Sequence, residues 1–364
     1  MSLRILSVFA TFGVGGPQVR YAGLANAFGA AFRHQIVAMD GNLACRERLD
    51  PSLDVTYPAP ALRKGDTLGN LRAIRGFLRE ARPDVLVTHN WGSIEWAMAN
   101  ALRPLVRHVH IEDGFGPEER DTQLPRRVWT RRLVLRGSRV VLPSQTLLTL
   151  ARDVWRLPQR GLHYIPNGID LAGFDAVAAP ARGDRLMIGT VAALRPEKNL
   201  GRLIEAFALA LPGFDAGLQI VGDGPERAAL EARADALGVG DRVVFTGHVP
   251  QPAAMFKAFD IFALSSDTEQ MPIAVLEAMA ASLPVAATQV GDVGLMLACD
   301  NQALLCSRDA QALAGSLKRL LADAHLRLRV GAANRHKVAR DYSRETMLEA
   351  YAALLAPPDR KAGG

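Results

Sequence analysis

Short apolar segments alternate along the whole chain with longer segments of helical periodicity. Ten of the short segments are rich in Val, Ile and Leu and do not alternate with polar residues, as is typical of strands buried on both faces of a parallel sheet. They are residues 4–9, 35–39, 85–88, 108–111, 140–143, 186–191, 217–221, 242–245, 261–264 and 284–288. Helices are expected between them, for example at 199–211, 226–237 and 272–281. The alternation predicts an α/β protein with parallel sheets.

The pattern is interrupted once, near the middle of the chain. Residues 170–184 contain Gly, Pro, Ala and Asp without a clear period and are typical of a linker. About five predicted strands lie on each side of it, which predicts two Rossmann-like domains, at 1–175 and 182–342, facing each other across a cleft. The C-terminal segment 343–357 is expected to form a helix that packs back on the first domain. Its apolar stripe consists of Met347, Leu348, Tyr351 and Leu354.

The composition argues against several classes of protein. The chain has 364 residues and a net charge of +6, but only 6% of its residues are aromatic. No basic stretch alternates with aromatic residues that stack on bases, so we expect no nucleic-acid partner. The three cysteines are scattered, which predicts neither a disulfide framework nor a zinc site. No apolar run reaches the roughly 18–20 residues of a membrane span, and we therefore expect a cytoplasmic protein.

A glycine-containing loop follows the first predicted strand. Gly15 and Gly16 precede a predicted helix, where backbone N–H groups and the helix dipole favour an anion such as a phosphate. Gln18 stands where a dinucleotide-binding GxGxxG loop has its last glycine, and no Gly-Lys-Ser/Thr follows. The loop is also consistent with a simple tight turn between strand and helix.

Two further loops follow strands of the predicted second domain. One carries Arg195 and Lys198. The planar guanidinium of an arginine can bind two phosphate oxygens at once, and the ammonium of a lysine supplies a compact positive charge. The other carries Gly222 and Gly224, which would let the backbone pass close to a nucleotide base or ribose. A solvated loop and an ordinary turn remain the alternatives. Both loops are expected at the carboxyl ends of strands, where doubly wound sheets bind ligands.

Two carboxylates follow the strand predicted at 261–264. Glu269 lies in a polar loop and Glu277 lies on the next helix, where Ile273 shares its face. Apolar residues flank Glu277, and a carboxylate in such surroundings is costly without a partner. One carboxylate is suited to sugar hydroxyls and the other to a ribose. Pro272 suits the first turn of this helix, whose amides near Gln270 and Met271 would point into the cleft.

These motifs together resemble family 4 retaining glycosyltransferases of the GT-B fold. Glu269 and Glu277 are separated by seven residues and followed by Ala-Met-Ala and Leu-Pro-Val, and the segments RPEKN, VGDGPE and VVFTGHV precede them in the family's order. The resemblance is dense from 189 to 291 and looser over the first half. It implies that a sugar is transferred from a UDP- or GDP-sugar to a glycan or lipid-linked acceptor in surface polysaccharide biosynthesis, with no metal or other cofactor required.

The resemblance implies a role for each matching position. Arg195 and Lys198 would hold the donor diphosphate, Glu269 would contact the transferred sugar, and Glu277 would bind the ribose. The leaving phosphate would act as the base in a same-face attack. The remaining positions predicted to contact the donor are Gly15, Gly16, Gly222, Gly224, Gln270, Met271, Pro272 and Ile273.

Family members often carry a histidine in the first domain that faces the donor sugar. His110 is the candidate here, but Asp113 stands just before a glycine where some relatives have that histidine, so either residue fits the role. Asn90 and Trp91 follow a strand end and are candidates for acceptor binding together with Asp113. The basic segment 126–136 is either a solvated helix face or a contact with an anionic membrane surface or a lipid-linked acceptor.

Two alternatives to a glycosyltransferase remain open at this point. One is a sugar-nucleotide epimerase on the same scaffold, and the other is a non-catalytic paralogue that binds a nucleotide sugar. The acidic and basic residues at positions 195, 198, 269 and 277 argue against loss of activity.

Overall fold

The computed structural model describes residues 2–115, 117–119, 122–178, 183, 185–250 and 252–356. These fall into two compact units. One comprises the residues up to Pro166 together with those from Leu348 onward, and the other comprises Asn167–Met347. Residue 182, the predicted start of the second domain, and residue 357, the predicted end of the last helix, lie outside the described residues.

The first unit contains a seven-stranded parallel sheet in the order β3-β2-β1-β4-β5-β6-β7. Its strands are β1 (Leu3–Phe9), β2 (Phe32–Ala38), β3 (Val55–Thr56), β4 (Val85–His89), β5 (Arg107–Ile111), β6 (Arg139–Leu142) and β7 (Leu162–Tyr164). Its helices are α1 (Gly16–Phe28), α2 (Thr67–Ala81), α3 (Ile94–Ala101), α4 (Pro125–Val134) and α5 (Gln145–Asp153).

The second unit contains a six-stranded parallel sheet in the order β10-β9-β8-β11-β12-β13. Its strands are β8 (Leu186–Val191), β9 (Ala216–Val221), β10 (Val243–Gly247), β11 (Ile261–Leu264), β12 (Val285–Thr288) and β13 (Leu305–Cys306). Its helices are α6 (Leu171–Ala176), α7 (Leu200–Ala210), α8 (Arg227–Ala236), α9 (Ala253–Ala258), α10 (Ile273–Ala280), α11 (Val293–Met296), α12 (Ala310–Ala322) and α13 (Ala324–Asp341). The prediction of two parallel α/β sheets is confirmed.

Within the described residues, several short elements were not anticipated from the sequence. The strands β3, β7 and β13 have two or three residues each, too few for a run of apolar residues to stand out. The predicted linker also contains α6, whose first turn is capped by Asp170 accepting from the Gly173 amide at 2.9 Å. An aspartate at this position satisfies an amide that the helix leaves unpaired. Part of the predicted linker is therefore helical.

The last helix, α14 (Arg344–Leu355), ends against the first sheet. Arg139 at the start of β6 donates to the Leu354 carbonyl at 2.7 Å, and Arg107 at the start of β5 donates to the next two carbonyls. The final carbonyls of a helix have no partner within the helix and carry partial negative charge. The two arginines therefore stabilise the C-terminal end of α14 on the first unit.

Candidate functional site

Three loops meet at the carboxyl edge of the second sheet. They follow β8, β9 and β11, which are neighbouring or nearly neighbouring strands. The amide of Leu194 donates to the carbonyl of Asp223 at 3.0 Å, and the amide of Glu226 donates to the carbonyl of Leu194 at 3.2 Å. The amide of Asp267 donates to the carbonyl of Glu197 at 2.9 Å. The loop after β8 is therefore held between the other two.

Gly222 and Gly224 are required by this close packing of loops. A Cβ atom on Gly222 would lie 1.9 Å from the Ala192 carbonyl oxygen, and one on Gly224 would lie 2.5 Å from the Leu194 carbonyl oxygen. Gly222 also has a φ of +138°, which side chains disfavour. Both glycines thus have a packing reason. Their predicted contact with a nucleotide stays a prediction.

Lys198 and Glu269 are in direct contact. The Lys198 Nζ lies 2.6 Å from the Glu269 Oε1, and the Ser266 hydroxyl donates to the same oxygen at 2.7 Å. The Glu269 side chain is 9% exposed and the Lys198 side chain 25%, so the pair is partly accessible. Arg195 lies three residues before Lys198 on the same loop and is exposed. Its guanidinium has no ion-pair partner among the described residues.

Glu277 lies on α10 among buried apolar neighbours and is itself half-buried. Burial raises the pKa of its carboxyl group to about 7. Within the described part of the chain this carboxylate has no ion-pair partner, unlike Glu269. A group in this state is one that a bound polar ligand would stabilise, because unpaired buried charge is costly. Ile273 lies one turn earlier on the same helix and is partly buried.

The segment before α10 is fixed through its carbonyl groups. The amide of Asp292 donates to the Gln270 carbonyl at 2.9 Å, and the side-chain amide of Asn167 donates to the Met271 carbonyl at 3.0 Å. Pro272 precedes the helix in an extended conformation, and no side chain caps the first turn. The first amides of a helix have no carbonyl partner within it, and the predicted contact of this segment with the donor stays a prediction.

In the first unit, the predicted glycine loop leads directly into α1. Gly15 has extended backbone, Gly16 begins the helix, and Pro17 occupies its first turn. No side chain caps the helix and no acidic residue lies in its first turn. The side-chain amide of Gln18 donates to the Thr11 carbonyl at 3.0 Å, which holds the loop together. A phosphate contact of Gly15 or Gly16 stays a prediction.

His110 is completely buried in β5. Its Nδ1 lies 2.8 Å from the Thr88 hydroxyl, which lies equally close to the His108 Nε2, and its own Nε2 is 3.6 Å from the Glu112 carboxylate. A side chain in this position belongs to the polar interior of the sheet. No surface of His110 is accessible in this structure, and the assignment of the sugar-facing role to His110 or to Asp113 stays a prediction.

Asp113 and Asn90 are brought together at the carboxyl edge of the first sheet. The Asp113 amide donates to the Asn90 side-chain oxygen at 2.7 Å, and Arg20 of α1 binds the Asp113 carboxylate at 2.6 and 3.0 Å. Asn90 has a φ of +54°, an uncommon conformation for a residue other than glycine. Trp91 is half-buried and stacks under the Arg127 guanidinium, 4.8 Å from the ring centroid.

Comparison with known protein families accounts for both units. A model described as Glycosyltransferase Family 4 matches residues 14–172, and one described as Glycosyl transferases group 1 matches residues 175–337. The chain belongs to the family 4 glycosyltransferases. The match to the family models covers the glycine loop of the first unit and every site residue of the second unit named above.

Relatives of this family 4 glycosyltransferase include two enzymes of Streptomyces. The chain is 35% identical over 199 residues, half of each chain, to 2-deoxystreptamine glucosyltransferase of Streptomyces kanamyceticus. It is 28% identical to 2-deoxystreptamine N-acetyl-D-glucosaminyltransferase of Streptomyces fradiae over 96% of this chain and 93% of that one. Lipopolysaccharide core biosynthesis glycosyltransferase LpsE of Rhizobium meliloti is 34% identical over 44% of this chain and 46% of that one. The chain thus spans about half the length of two of these three relatives.

Solved structures place this family 4 glycosyltransferase in the GT-B fold. Anabaena HepE, solved with UDP and glucose, has a TM-score of 0.82 and 18% identity, covering 97% of this chain and 99% of that one. Sucrose-phosphate synthase from Thermosynechococcus elongatus has a TM-score of 0.77 and 21% identity over 97% and 98%. The comparisons support the glycosyltransferase interpretation and give no support to the epimerase alternative.

Sequence reasoning missed two residues that hold the candidate site residues of this family 4 glycosyltransferase. Ser266, three positions before Glu269, binds its carboxylate, and Arg20 binds Asp113. A serine close in sequence to a candidate carboxylate is a usable signal. Arg20 and Asp113 are 93 residues apart, so only the folded sheet brings them together.

Proposed function

We propose that this chain is a retaining glycosyltransferase that moves a sugar from a nucleoside-diphosphate sugar to a hydroxyl of a glycan or lipid-linked acceptor. The observation that carries the proposal is the contact of Lys198 with Glu269 at 2.6 Å, at a strand edge where Arg195 is exposed nearby in sequence. When the bond between a sugar and a diphosphate breaks, negative charge grows on the phosphate and positive charge on the anomeric carbon. A cation next to a carboxylate can stabilise both of these developing charges.

The proposed reaction assigns one task to each side chain. Lys198 and Arg195 neutralise the departing diphosphate, and Glu269 stabilises the positive character of the sugar. Glu277 accepts hydrogen bonds from the ribose hydroxyls. The acceptor oxygen forms its bond to the anomeric carbon on the face that the phosphate leaves, and its proton passes to the departing phosphate. Electrostatic groups placed in advance where charge develops are commonly the largest contribution to such catalysis.

The relatives guide the substrates that we propose. Anabaena HepE was solved with UDP-glucose, which supports a UDP-sugar, with a GDP-sugar as the second choice. The lipopolysaccharide core glycosyltransferase of Rhizobium meliloti supports an acceptor of the cell surface. Two basic side chains supply the positive charge, so the proposal requires no metal ion or other cofactor.

A donor panel tests the proposal. The full chain is incubated with UDP-, GDP- and ADP-sugars and with candidate glycan and lipid acceptors, and free nucleoside diphosphate and glycosylated product are measured. We expect one donor to be consumed only with acceptor present, and the anomeric configuration of the product, followed by NMR, to match that of the donor. An interconverted nucleotide sugar without product would indicate an epimerase, and no binding or turnover with any donor would refute the proposal.

We also propose that α4 lies on an anionic membrane surface. Trp129 and Leu133 are 57% and 70% exposed and lie one turn apart, the exposed Arg126 lies one turn before Trp129, and the exposed Arg136 follows the end of the helix. The Arg132 guanidinium lies 5.0 Å from the Trp129 ring. Exposed aromatic and aliphatic residues bordered by arginines are typical of helices that lie in a membrane interface. Among the described residues no helix combines the length and apolar character needed to cross a bilayer.

Vesicle flotation tests the membrane contact. Vesicles of phosphatidylcholine with and without phosphatidylglycerol are compared for the wild type, for Trp129→Ser with Leu133→Ser, and for Leu328→Ser. Leu328 is 73% exposed on α13 of the second unit and serves as the matched control. We expect the wild type and the control to float with anionic vesicles and the double variant to float roughly tenfold less. Equal flotation of all three proteins would refute the contact.

A further inference from the structure

The end of β11 is tied to the loop that carries Lys198. The Ser265 hydroxyl donates to the Lys198 carbonyl at 3.0 Å, and the amide of Asp267 donates to the Glu197 carbonyl at 2.9 Å. Both bonds reach from the end of β11 to the loop that follows β8. Residues at both 265 and 267 thus face the Lys198 loop.

Ser266, the residue between them, contacts Glu269 and β12. The Ser266 hydroxyl donates to the Glu269 carboxylate at 2.7 Å, and the Ser266 carbonyl accepts from the Thr288 hydroxyl at 2.7 Å. One short segment therefore contacts both the Lys198 loop and the Glu269 carboxylate that the Lys198 ammonium binds.

The Asp267 carboxylate is the centre of the contacts on the Lys198 side. Arg202 Nη2 donates to it at 2.7 Å, and the Asn199 side-chain amide donates to its two oxygens at 3.3 and 3.2 Å. The Asp267 and Arg202 side chains are 10% and 13% exposed, so this ion pair is mostly withdrawn from water. Charge-assisted hydrogen bonds in such a position are stronger than those on the surface.

Asn199, the residue after Lys198, has a left-handed backbone conformation with φ of +43°. This conformation is uncommon for residues with a side chain and persists when surrounding contacts impose it. Its side-chain oxygen accepts from the Arg202 amide at 3.2 Å and caps α7, while its nitrogen reaches Asp267. The contacts with Asp267 therefore hold the backbone immediately after Lys198.

We propose that Asp267 is a positioning residue for the donor site. It does not touch the substrate. It holds the Lys198 loop in the conformation that places the Lys198 ammonium against Glu269, where the charges of the breaking bond develop. The inference rests on the proposed function, because it concerns the same site and reaction.

The same geometry argues against a metal-binding role for the sequence Asp267-Thr268-Glu269. Arg202 forms an ion pair with the carboxylate of Asp267, and Lys198 forms one with that of Glu269, so each acidic group already has a cationic partner. Across the described residues no group of three His, Cys, Asp or Glu side chains is arranged to hold a metal ion. A positioning role and a metal-ligand role lead to different results in the experiment below.

Steady-state kinetics of Asp267→Asn, alone and combined with Lys198→Ala, test the proposal in the full chain. Small displacements of catalytic groups cost large factors in rate, so we expect kcat to fall roughly 10- to 100-fold while the KM for the donor changes by less than about threefold. In the Lys198→Ala background the same substitution is expected to change kcat by less than about twofold, because groups that act as a unit are not additive. Calorimetry gives the number of donor-binding sites per chain, so kcat can be expressed per functional site. A fall in kcat caused by misplacement of Lys198 is then distinguished from a loss of folded protein.

Glu205→Gln is the matched control. Glu205 lies on α7, as Arg202 does, and pairs with Arg233 at 2.7 Å, but both partners are over 40% exposed. We expect wild-type kcat for this variant. If Asp267→Asn does not fold, the variant Arg202→Lys is used in its place. A lysine at 202 keeps the positive charge but lacks the planar guanidinium that binds a carboxylate through two nitrogens. That variant is expected to show a smaller fall in kcat with the same KM.

Three results would overturn the proposal. They are wild-type kcat in Asp267→Asn (or in Arg202→Lys if it is used instead), an undiminished effect in the Lys198→Ala background, and an effect that added Mg²⁺ or Mn²⁺ reverses. If the wild type consumes no nucleotide sugar at all, the proposed function fails instead. The two failures are therefore distinguishable.

Discussion

The carboxyl edges of the two sheets both carry charged residues, but in opposite environments. In the second unit, Arg195 is exposed and Lys198 retains a quarter of its side-chain exposure. In the first unit, Arg131, Glu112 and Glu119 are at most 3% exposed. Charge that stays accessible is available to a ligand, whereas charge that is closed off serves the fold.

These charged residues of the first unit form a buried network of ion pairs. Arg131 donates to Glu112 at 3.1 Å and to Glu119 at 3.2 Å, and Arg127 donates to Glu119 at 3.0 Å. The rings of Trp91, Phe115 and Trp155 lie 5.0 to 5.2 Å from the Arg131 guanidinium. These contacts bury the Arg131 guanidinium, whose side chain is 1% exposed. Two arginines of the basic segment 126–136, Arg127 and Arg131, are therefore buried in the first unit.

The largest effect expected is on the stability of the first unit. Arg131→Met removes the cation and leaves Glu112 and Glu119 buried, which we expect to lower the free energy of unfolding by about 3–5 kcal/mol. Arg126→Met on the same helix changes an exposed side chain and should alter stability by less than about 0.5 kcal/mol. Urea unfolding followed by circular dichroism measures both. Equal stability of the two variants would show that the buried ion pairs of Arg131 do not stabilise the fold as described.

The second effect is on activity without a comparable loss of stability. We expect Lys198→Ala or Arg195→Ala to lower kcat by roughly 10²-fold or more, as removal of a preorganised charge-stabilising donor does. Melting temperatures of these variants should stay close to that of the wild type, because both side chains are at least partly exposed. Wild-type kinetics in both variants would contradict the contrast between the two edges.

The third effect is a pH dependence of donor binding. Burial raises the pKa of Glu277 to about 7, and the ribose hydroxyls need the ionised carboxylate as acceptor. Donor affinity should therefore fall by up to about tenfold per pH unit as the pH drops below this value, since protons compete with the donor. Calorimetry with a nucleoside-diphosphate sugar from pH 5.5 to 8.5 measures it.

The same pKa shift has a consequence for stability with the opposite sign. The folded state binds the Glu277 proton more tightly than the unfolded state, so the stability of the second unit should decline as the pH rises from the unfolded pKa of about 4.3 to about 7. Glu277→Gln should remove this decline together with the pH dependence of donor binding. A variant that keeps both would exclude Glu277 as their source.

The smallest effect should be the same in both units. Asp66 caps α2 by accepting from the Gly69 amide at 2.9 Å, and Asp309 caps α12 by accepting from the Ala312 amide at 2.8 Å. We expect Asp66→Ala and Asp309→Ala each to cost about 1 kcal/mol. Denaturant unfolding compares them. Clearly unequal costs would mean that the two units differ in more than their charged edges.

The sequence by itself determined the ten long strands, the parallel sheets and the local site motifs. Strand burial requires runs of consecutive apolar residues, and Lys198, Glu269 and Glu277 lie in the loops and the helix that directly follow β8 and β11. Patterns over short stretches of sequence therefore sufficed. Only the tertiary structure decided that His110 is buried, that Arg131 points inward and that Asp267 binds Arg202. These outcomes depend on partners 19 to 65 residues away, and the environment of a polar side chain is set by whichever distant elements pack around it.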